Sequence, residues 1–398
     1  MTQVVVVGAG PGGVTLALML VKRGVAVKLI EASRNFRRIF RGEGLMPSGL
    51  DALAQMGLSS ILESIPHQPL DAWQFYINKR SLFRVEEPLE PGSKPCTLVS
   101  QPALLEAVIE LASTYPHFEL IQGTGVQDLL WHEQRVAGVK LSDGRTVNAD
   151  LVIGTDGRNS IIRQRADLAL EQKSHSFDVL WFKLADSPRF ASENVFYSIL
   201  CDRYAFGLFR SSEGNLHLGW TLPKDFPQDW KQVDDWAEIF ASASPPWLAE
   251  HFRAVAATIE RPILLSVIVG RCPRWYTSGL LLLGDAAHPM SPIRAQGINM
   301  VLRDAIVAVN SLVPVLSEGA SAIDRVLPEI QSSREPEIIK AQRLQSQEAA
   351  QAELLEHSTL LQWGVSQFAP IIRYPVRLSW LLRQRELRQG VTPIQLTN

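Results

Sequence analysis

Gly8-Ala9-Gly10-Pro11-Gly12-Gly13 follows the β-branched run Val4 to Val7 and precedes apolar residues at helical spacing from Val14 to Arg23, with Val25 to Glu31 reading as the next strand. Gly8, Gly10 and Gly13 form GxGxxG in a strand, turn, helix, strand context. The first glycine makes the turn, the second lets backbone approach a pyrophosphate, and the third packs helix on sheet; the helix start attracts the phosphates. Glu31, at the end of the second strand, is placed to accept hydrogen bonds from a ribose. The motif alone does not separate NAD from FAD.

Two later stretches have the same shape, an oily strand running into glycine and acid. In "LVIGTDGRNSIIR", Leu151 to Arg163, the strand ends at Gly154 and Asp156-Gly157 follows. A strand ending in an Asp-Gly turn, then a helix capped by Asn159 or Ser160, explains that pattern without a ligand. In "LLLLGDAAHPMSPIRAQGINM", Leu280 to Met300, Asp285 is placed to take a polyol hydroxyl. The amides of Gly297, Ile298 and Asn299 open a helix there, and such amides suit an electron-rich ring edge that becomes anionic on reduction. His288 reads as structural, and no metal is expected.

These motifs need a fold around them, and 398 residues with 46% hydrophobic and 20% charged content supply enough core for two domains. Lys+Arg 39 against Asp+Glu 41 leaves a formal charge of -2, so nucleic acid is not the expected partner and a small molecule is. Cys96, Cys201 and Cys272 stand alone, which argues against disulfides or zinc and for a reduced, cytoplasmic protein. The uncharged stretch Val4 to Val21 carries four glycines and lacks a basic leader; it reads as buried strand, turn and helix rather than a membrane span.

Helices are predicted over Ser48–Gln55, Gln101–Ser113 and Ile298–Leu316, with nearly everything beyond Ala322 helical in period. Residues 72–88 and 174–269 are strand-rich, and Trp181, Phe196 and Trp220 read as sheet core rather than pocket wall. The expected class is α/β: a Rossmann-type domain from 1–71, 97–173 and 270–321, interleaved with an antiparallel sheet domain from 72–96 and 174–269, and a helical segment over 322–398. The Arg-rich end of that segment, Arg373 to Arg388 around Trp380, reads as a helix packed on its own domain with a solvated basic face, in preference to one lying on an acidic membrane surface. The oligomeric state is open.

"GAGPGG" with Glu31, "GTDGRNSIIR" and "GDAAHPMSPIRAQGINMVLRDA", in this order and at these separations, resemble the single-component (group A) FAD-dependent monooxygenases, the aromatic hydroxylases of the para-hydroxybenzoate hydroxylase type. The likeness extends to Arg41 in "FRGEGLMPSGLDALAQMGL" and to "SREPEI", and so covers most of the chain. It implies FAD as cofactor, with NADH or NADPH as cosubstrate, and hydroxylation of an aromatic or other electron-rich, fairly apolar molecule through a flavin C4a-hydroperoxide. By motif, Gly8, Gly10 and Gly13 would face the pyrophosphate and Glu31 the adenosine ribose. Arg41 would lie near the phosphates or ribityl chain, and Asp285 would bind ribityl hydroxyls. Pro292 and the amides of Gly297 to Asn299 would surround the isoalloxazine, and the Asp156 motif is tied to both FAD and NAD(P)H.

The chain departs from the family pattern twice. Gln101 stands where the family usually carries Arg at a helix start, which removes one cationic contact to FAD. In Pro292-Ile293-Arg294-Ala295-Gln296-Gly297, Arg294 replaces a glycine close to the ring. Arg294 has two readings: a guanidinium that binds a substrate carboxylate or oxyanion, or a side chain turned to solvent or a structural carboxylate. The alternative activity on the same fold is a flavin-dependent reductase or oxidase without oxygen insertion.

Overall fold

The computed structural model describes residues 2–36, 43–173, 177–223 and 228–397. Arg41 lies outside the described residues.

One sheet holds the nucleotide-type motifs. Its five parallel strands run in the order Leu280–Leu282, Leu151–Gly154, Gln3–Val7, Ala26–Glu31 and Phe118–Gln122, with Tyr276–Thr277 antiparallel at one edge. Val4, Val5, Val6, Leu151, Val152 and Ile153 are buried on both faces, which is why these strands are oily throughout rather than alternating. The helix Pro11–Val21 is buried almost all round, between Gln101–Ser113 and Gln296–Leu312. All three glycine- and acid-bearing motifs therefore leave adjacent parallel strands at their C-terminal ends, where open α/β sheets bind ligands.

The second sheet has seven strands in the order Ile263–Leu265, Phe177–Leu184, Leu216–Pro223, Tyr204–Arg210, Val195–Cys201, Ala72–Ile77 and Arg80–Glu86. It is antiparallel except where Val195–Cys201 lies beside Ala72–Ile77, two strands reached through a long excursion into the first sheet. One face packs Phe182, Leu208, Leu218 and Trp220 against the helices Trp236–Ala243 and Pro246–Ala254. Side chains of alternate residues on the other face look toward the first sheet.

The C-terminal segment forms helices Ala320–Glu356, Thr359–Gln367 and Ala369–Gln389. The last packs on the sheet as expected, with Trp380, Leu387 and Arg388 buried. Arg388 forks onto Glu87 at 2.5 and 2.6 Å and reaches Glu90 at 3.3 Å. A buried network joins the long helix to the loop of the third motif: Arg334 donates to Asp304 at 2.7 Å and also pairs with Glu337, which accepts from Arg303. No described helix is long and apolar enough to cross a membrane.

Candidate active site

A cavity of about 1260 Å³ runs from the glycine turn of the first sheet to the inner face of the second. Gly10, Gln101, Asp156, Asp285, Pro292, Arg294, Gly297 and Ile298 line it. Gly8, Gly13 and Asn299 lie behind its wall and fix its shape. Gly8 has φ 102°, and a Cβ there would sit 2.6 Å from the Thr155 carbonyl; one on Gly13 would meet the Gly8 carbonyl at 1.9 Å. Neither position admits a side chain, so helix and turn are held as close as a phosphate-binding backbone requires.

Glu31 is buried, with one carboxylate oxygen accepting from the Ala9 amide at 2.9 Å and the other from the Ser33 amide at 2.8 Å. The carboxylate thus sets the glycine turn, whatever else it contacts. Asp156 is also engaged: it accepts from the Ser160 hydroxyl at 2.5 Å and the Ile162 amide at 3.1 Å, while Ser160 caps the helix Ile161–Arg165. The ligand-free explanation of this turn accounts for both oxygens.

Asp285 differs. No side-chain hydrogen bond to it occurs among the described residues, and burial raises its pKa above the usual carboxylate range. A partly accessible carboxylate on a cavity wall without a partner suits a hydroxyl-rich ligand. Its loop is fixed from behind by Asp304, which accepts from the Gly284 amide at 3.2 Å and bonds His288 at 2.9 Å. His288 is buried in this contact and serves structure, as expected.

The helix Gln296–Leu312 begins at Ala295 without a side-chain cap. By helix geometry the amides of Gln296, Gly297 and Ile298 have no carbonyl within the helix and are free to face a ligand; Asn299, a residue later, is already inside the ladder. Its side chain bonds the backbone at the short strand Gly44–Leu45, accepting from Met46 N at 2.9 Å and donating to Gly44 O at 3.2 Å. Arg294 and Ala295 have φ of 60° and 50°, a left-handed backbone that accounts for the glycine usual at Arg294's position in the family pattern.

Arg294 points into the molecule, not to solvent. Its Nε donates to Glu348 at 3.0 Å, and the guanidinium lies 5.1 Å from the ring centroids of both Trp73 and Trp380. Of the two readings of this residue, the pairing matches the one in which the side chain turns to a carboxylate of the protein, here on the cavity wall.

The apolar half of the cavity corrects one expectation. Trp220 is sheet core, but Trp181 and Phe196 line the cavity with Trp73, Phe75 and Phe209. Strand alternation puts them on the inner face, and Gly207 and Gly219 make room for the rings of Phe196 and Trp181. The sequence reading missed Glu43, which lies at the boundary of the two halves. It accepts from both the amide and the hydroxyl of Ser212 at 3.1 Å, and burial pushes its pKa up to about 6, with Glu213 adding to the rise. Cys96 is on the wall too, but burial pushes its thiol up to about 12 and leaves it unreactive.

A glycine turn that excludes side chains, an unpartnered aspartate, capless helix amides and an aromatic chamber at the far end fit an elongated dinucleotide with a redox ring. Residues 1–338 match the FAD binding domain family. Over 353 residues the chain is 34% identical to 6-methylpretetramide 4-monooxygenase of Streptomyces rimosus, covering 86% of this chain and 82% of that one. It is 26% identical over 365 residues to 6-hydroxynicotinate 3-monooxygenase of Pseudomonas fluorescens, covering 86% and 90%. The crystal structure of p-nitrophenol 4-monooxygenase from Pseudomonas putida superposes with a TM-score of 0.79 at 18% identity, covering 98% of this chain and all (100%) of the other. With both the family match and the 34% relative spanning most of its length, the chain belongs to the FAD-dependent monooxygenases of the para-hydroxybenzoate hydroxylase type.

Proposed function

We propose that this monooxygenase hydroxylates an electron-rich, fairly apolar aromatic held in the chamber of Trp73, Phe75, Trp181, Phe196 and Phe209, at the expense of NADH or NADPH and dioxygen. The observation that carries the reading is the continuity of that chamber with the cofactor half of the cavity. The relatives compared above are named for heteroaromatic, phenolic or polycyclic substrates, which favours this activity over a reductase or oxidase of the same fold. In this reading residues 72–96 and 174–269 form the substrate domain, and 1–71, 97–173 and 270–321 the cofactor domain.

FAD supplies the redox chemistry, accepting hydride equivalents and activating dioxygen. The protein's own residues bind and position. Asp285 holds ribityl hydroxyls; the turn at Gly8, Gly10 and Gly13 receives the pyrophosphate, with Glu31 ordering the turn beside the ribose. Gln101 reaches the cofactor as a neutral donor. Gly297 and Ile298 offer amides to the ring edge, Pro292 packs against the ring, and the Asn299 side chain fixes the amides' position. Aromatic walls exclude water and orient the substrate ring. Glu43, where the two halves meet, is placed to accept a substrate proton, its carboxylate held by the amide and hydroxyl of Ser212.

The test is turnover with FAD, NADH or NADPH and a panel of phenols and polycyclic phenols under oxygen-18 gas. The expected result is one labelled oxygen in a product; cofactor oxidation yielding only peroxide across the panel would overturn it.

A further inference from the structure

The C-terminal helices carry a surface the reaction does not explain. Of the fourteen large apolar side chains left exposed among the described residues, nine lie between Leu354 and Leu382. Leu360 is 82% exposed, Ile371 74%, Tyr374 69%, Leu382 67%, Trp363 58% and Leu378 46%. In the helix Ala369–Gln389, residues 371, 374, 378 and 382 share one face, opposite the buried Trp380, Gln384 and Leu387. The outward face is therefore apolar, where the sequence suggested a solvated basic one. A contiguous apolar surface of this kind is unusual on a protein that meets only water.

Beyond Glu356 the charge along this surface has one sign. From His357 to Arg385 the sequence contains no Asp or Glu and four arginines, Arg373, Arg377, Arg383 and Arg385. Arg373 and Arg377 line a groove of about 550 Å³ with Arg80 against the strand Arg80–Glu86. None of these three has a carboxylate partner among the described residues, whereas neighbouring Arg84 pairs with Glu86 and Glu193. On the helix Arg385 lies on the apolar face, Arg377 flanks it, and Arg373 sits toward the groove on the far side. Exposed leucines with Trp and Tyr, with Arg385 among them and Arg377 at their flank, match the interfacial zone of an anionic bilayer. A second copy of this chain is the poorer occupant, since a symmetric contact through this face sets arginines against arginines. The helix is also anchored for such a load, through the buried Arg388–Glu87 pair.

We propose that this face docks the enzyme on an anionic membrane surface. The cavity reaches the surface at Gln351 and Ala352, exposed wall residues within one turn of Leu354. A docked enzyme would thus take a lipophilic aromatic from the lipid side; that consequence rests on the proposed function, whereas docking itself does not.

The experiment is co-sedimentation of the FAD-loaded protein with phosphatidylcholine vesicles with and without phosphatidylglycerol, at low and high salt. The expected partition coefficient rises at least about tenfold with phosphatidylglycerol and falls back in high salt. Ile371→Ser/Leu378→Ser/Leu382→Ser and, separately, Arg377→Gln/Arg385→Gln should each lose about tenfold while keeping bound FAD and the circular dichroism of the parent. These variants sit outside the cavity, so turnover of a water-soluble phenol should be unchanged, which separates failure of docking from failure of the functional reading. Equal partition into both vesicle types overturns the proposal. So does a concentration-dependent doubling of mass, abolished by the apolar triple variant, in a protein that ignores vesicles; that outcome assigns the face to a second copy.

Discussion

Arg294 and Glu348 form an ion pair on the cavity wall, each side chain 12% exposed, with the guanidinium 5.1 Å from the ring centroids of both Trp73 and Trp380. A cation already neutralised has less to offer a substrate carboxylate, so the parent enzyme should prefer phenols to benzoates. Releasing the guanidinium in Glu348→Gln should strengthen benzoate binding about tenfold relative to phenol, and adding Arg294→Gly should cancel the gain. Perturbation of the bound flavin's absorbance reads both affinities. Equal changes for the two ligands would remove Arg294 from substrate recognition.

Glu43 and Ser212 stand 169 positions apart and join the two halves of the site. Burial raises the Glu43 pKa to about 6, so the folded protein holds a proton that the unfolded chain releases near 4.5. Stability from this group is therefore greatest below 4.5, declines as pH rises toward about 6, and is flat above. Glu356, pushed by burial to about 7, adds a decline over the wider window from 4.5 to about 7. The difference between parent and Glu43→Gln in denaturant titrations across this range isolates the Glu43 share. If Glu43 also takes the substrate proton, kcat should show an acid limb near pH 6 that Glu43→Gln abolishes and Glu43→Asp restores. A limb unchanged in Glu43→Gln assigns the residue to structure alone.

Such pairings mark the limit of what sequence shows. The first sheet was legible because its signals are local: Gly8, Gly10 and Gly13 have a spacing set by one turn, and strands buried on both faces are oily along their length. The second sheet was legible as strands but not as a site. Alternation sorts Trp181 and Phe196 from Phe182 and Trp220, yet it cannot say which set faces a cofactor held by residues from elsewhere in the chain. Arg294 was singled out by its departure from a pattern, but Glu348 was not, since nothing in a helical run distinguishes a carboxylate paired across 54 residues from a solvated one.

Asp304 sits at the centre of the buried charges behind the site, held well below its usual range, at about 2, by His288 and Arg334 against the opposing effect of burial. Its contribution is present above the unfolded value of 3.8 and is lost as pH falls toward 2. Asp304→Asn leaves Arg334, 0% exposed, short of one partner, and should cost about 3–5 kcal/mol in chemical denaturation. A loss under 1 kcal/mol, roughly that of an exposed pair, would mean that Glu337 alone satisfies the guanidinium.

Asp285 and Asp156 stand in two motifs that the family resemblance ties to FAD, yet their surroundings differ. Asp156 already accepts from Ser160 and Ile162, so Asp156→Ala should act mainly on stability, by about 1–2 kcal/mol, and leave FAD affinity within about threefold. Asp285 has no such partners among the described residues, so Asp285→Asn should leave stability nearly unchanged and weaken FAD by about tenfold or more. Fluorescence titration of each apoprotein with FAD, beside its denaturation midpoint, separates the two effects. Equal losses of affinity would give Asp156 a contact with the cofactor beyond its place in the turn, and an unchanged affinity in Asp285→Asn would move the ribityl chain away from the Gly284-Asp285 loop.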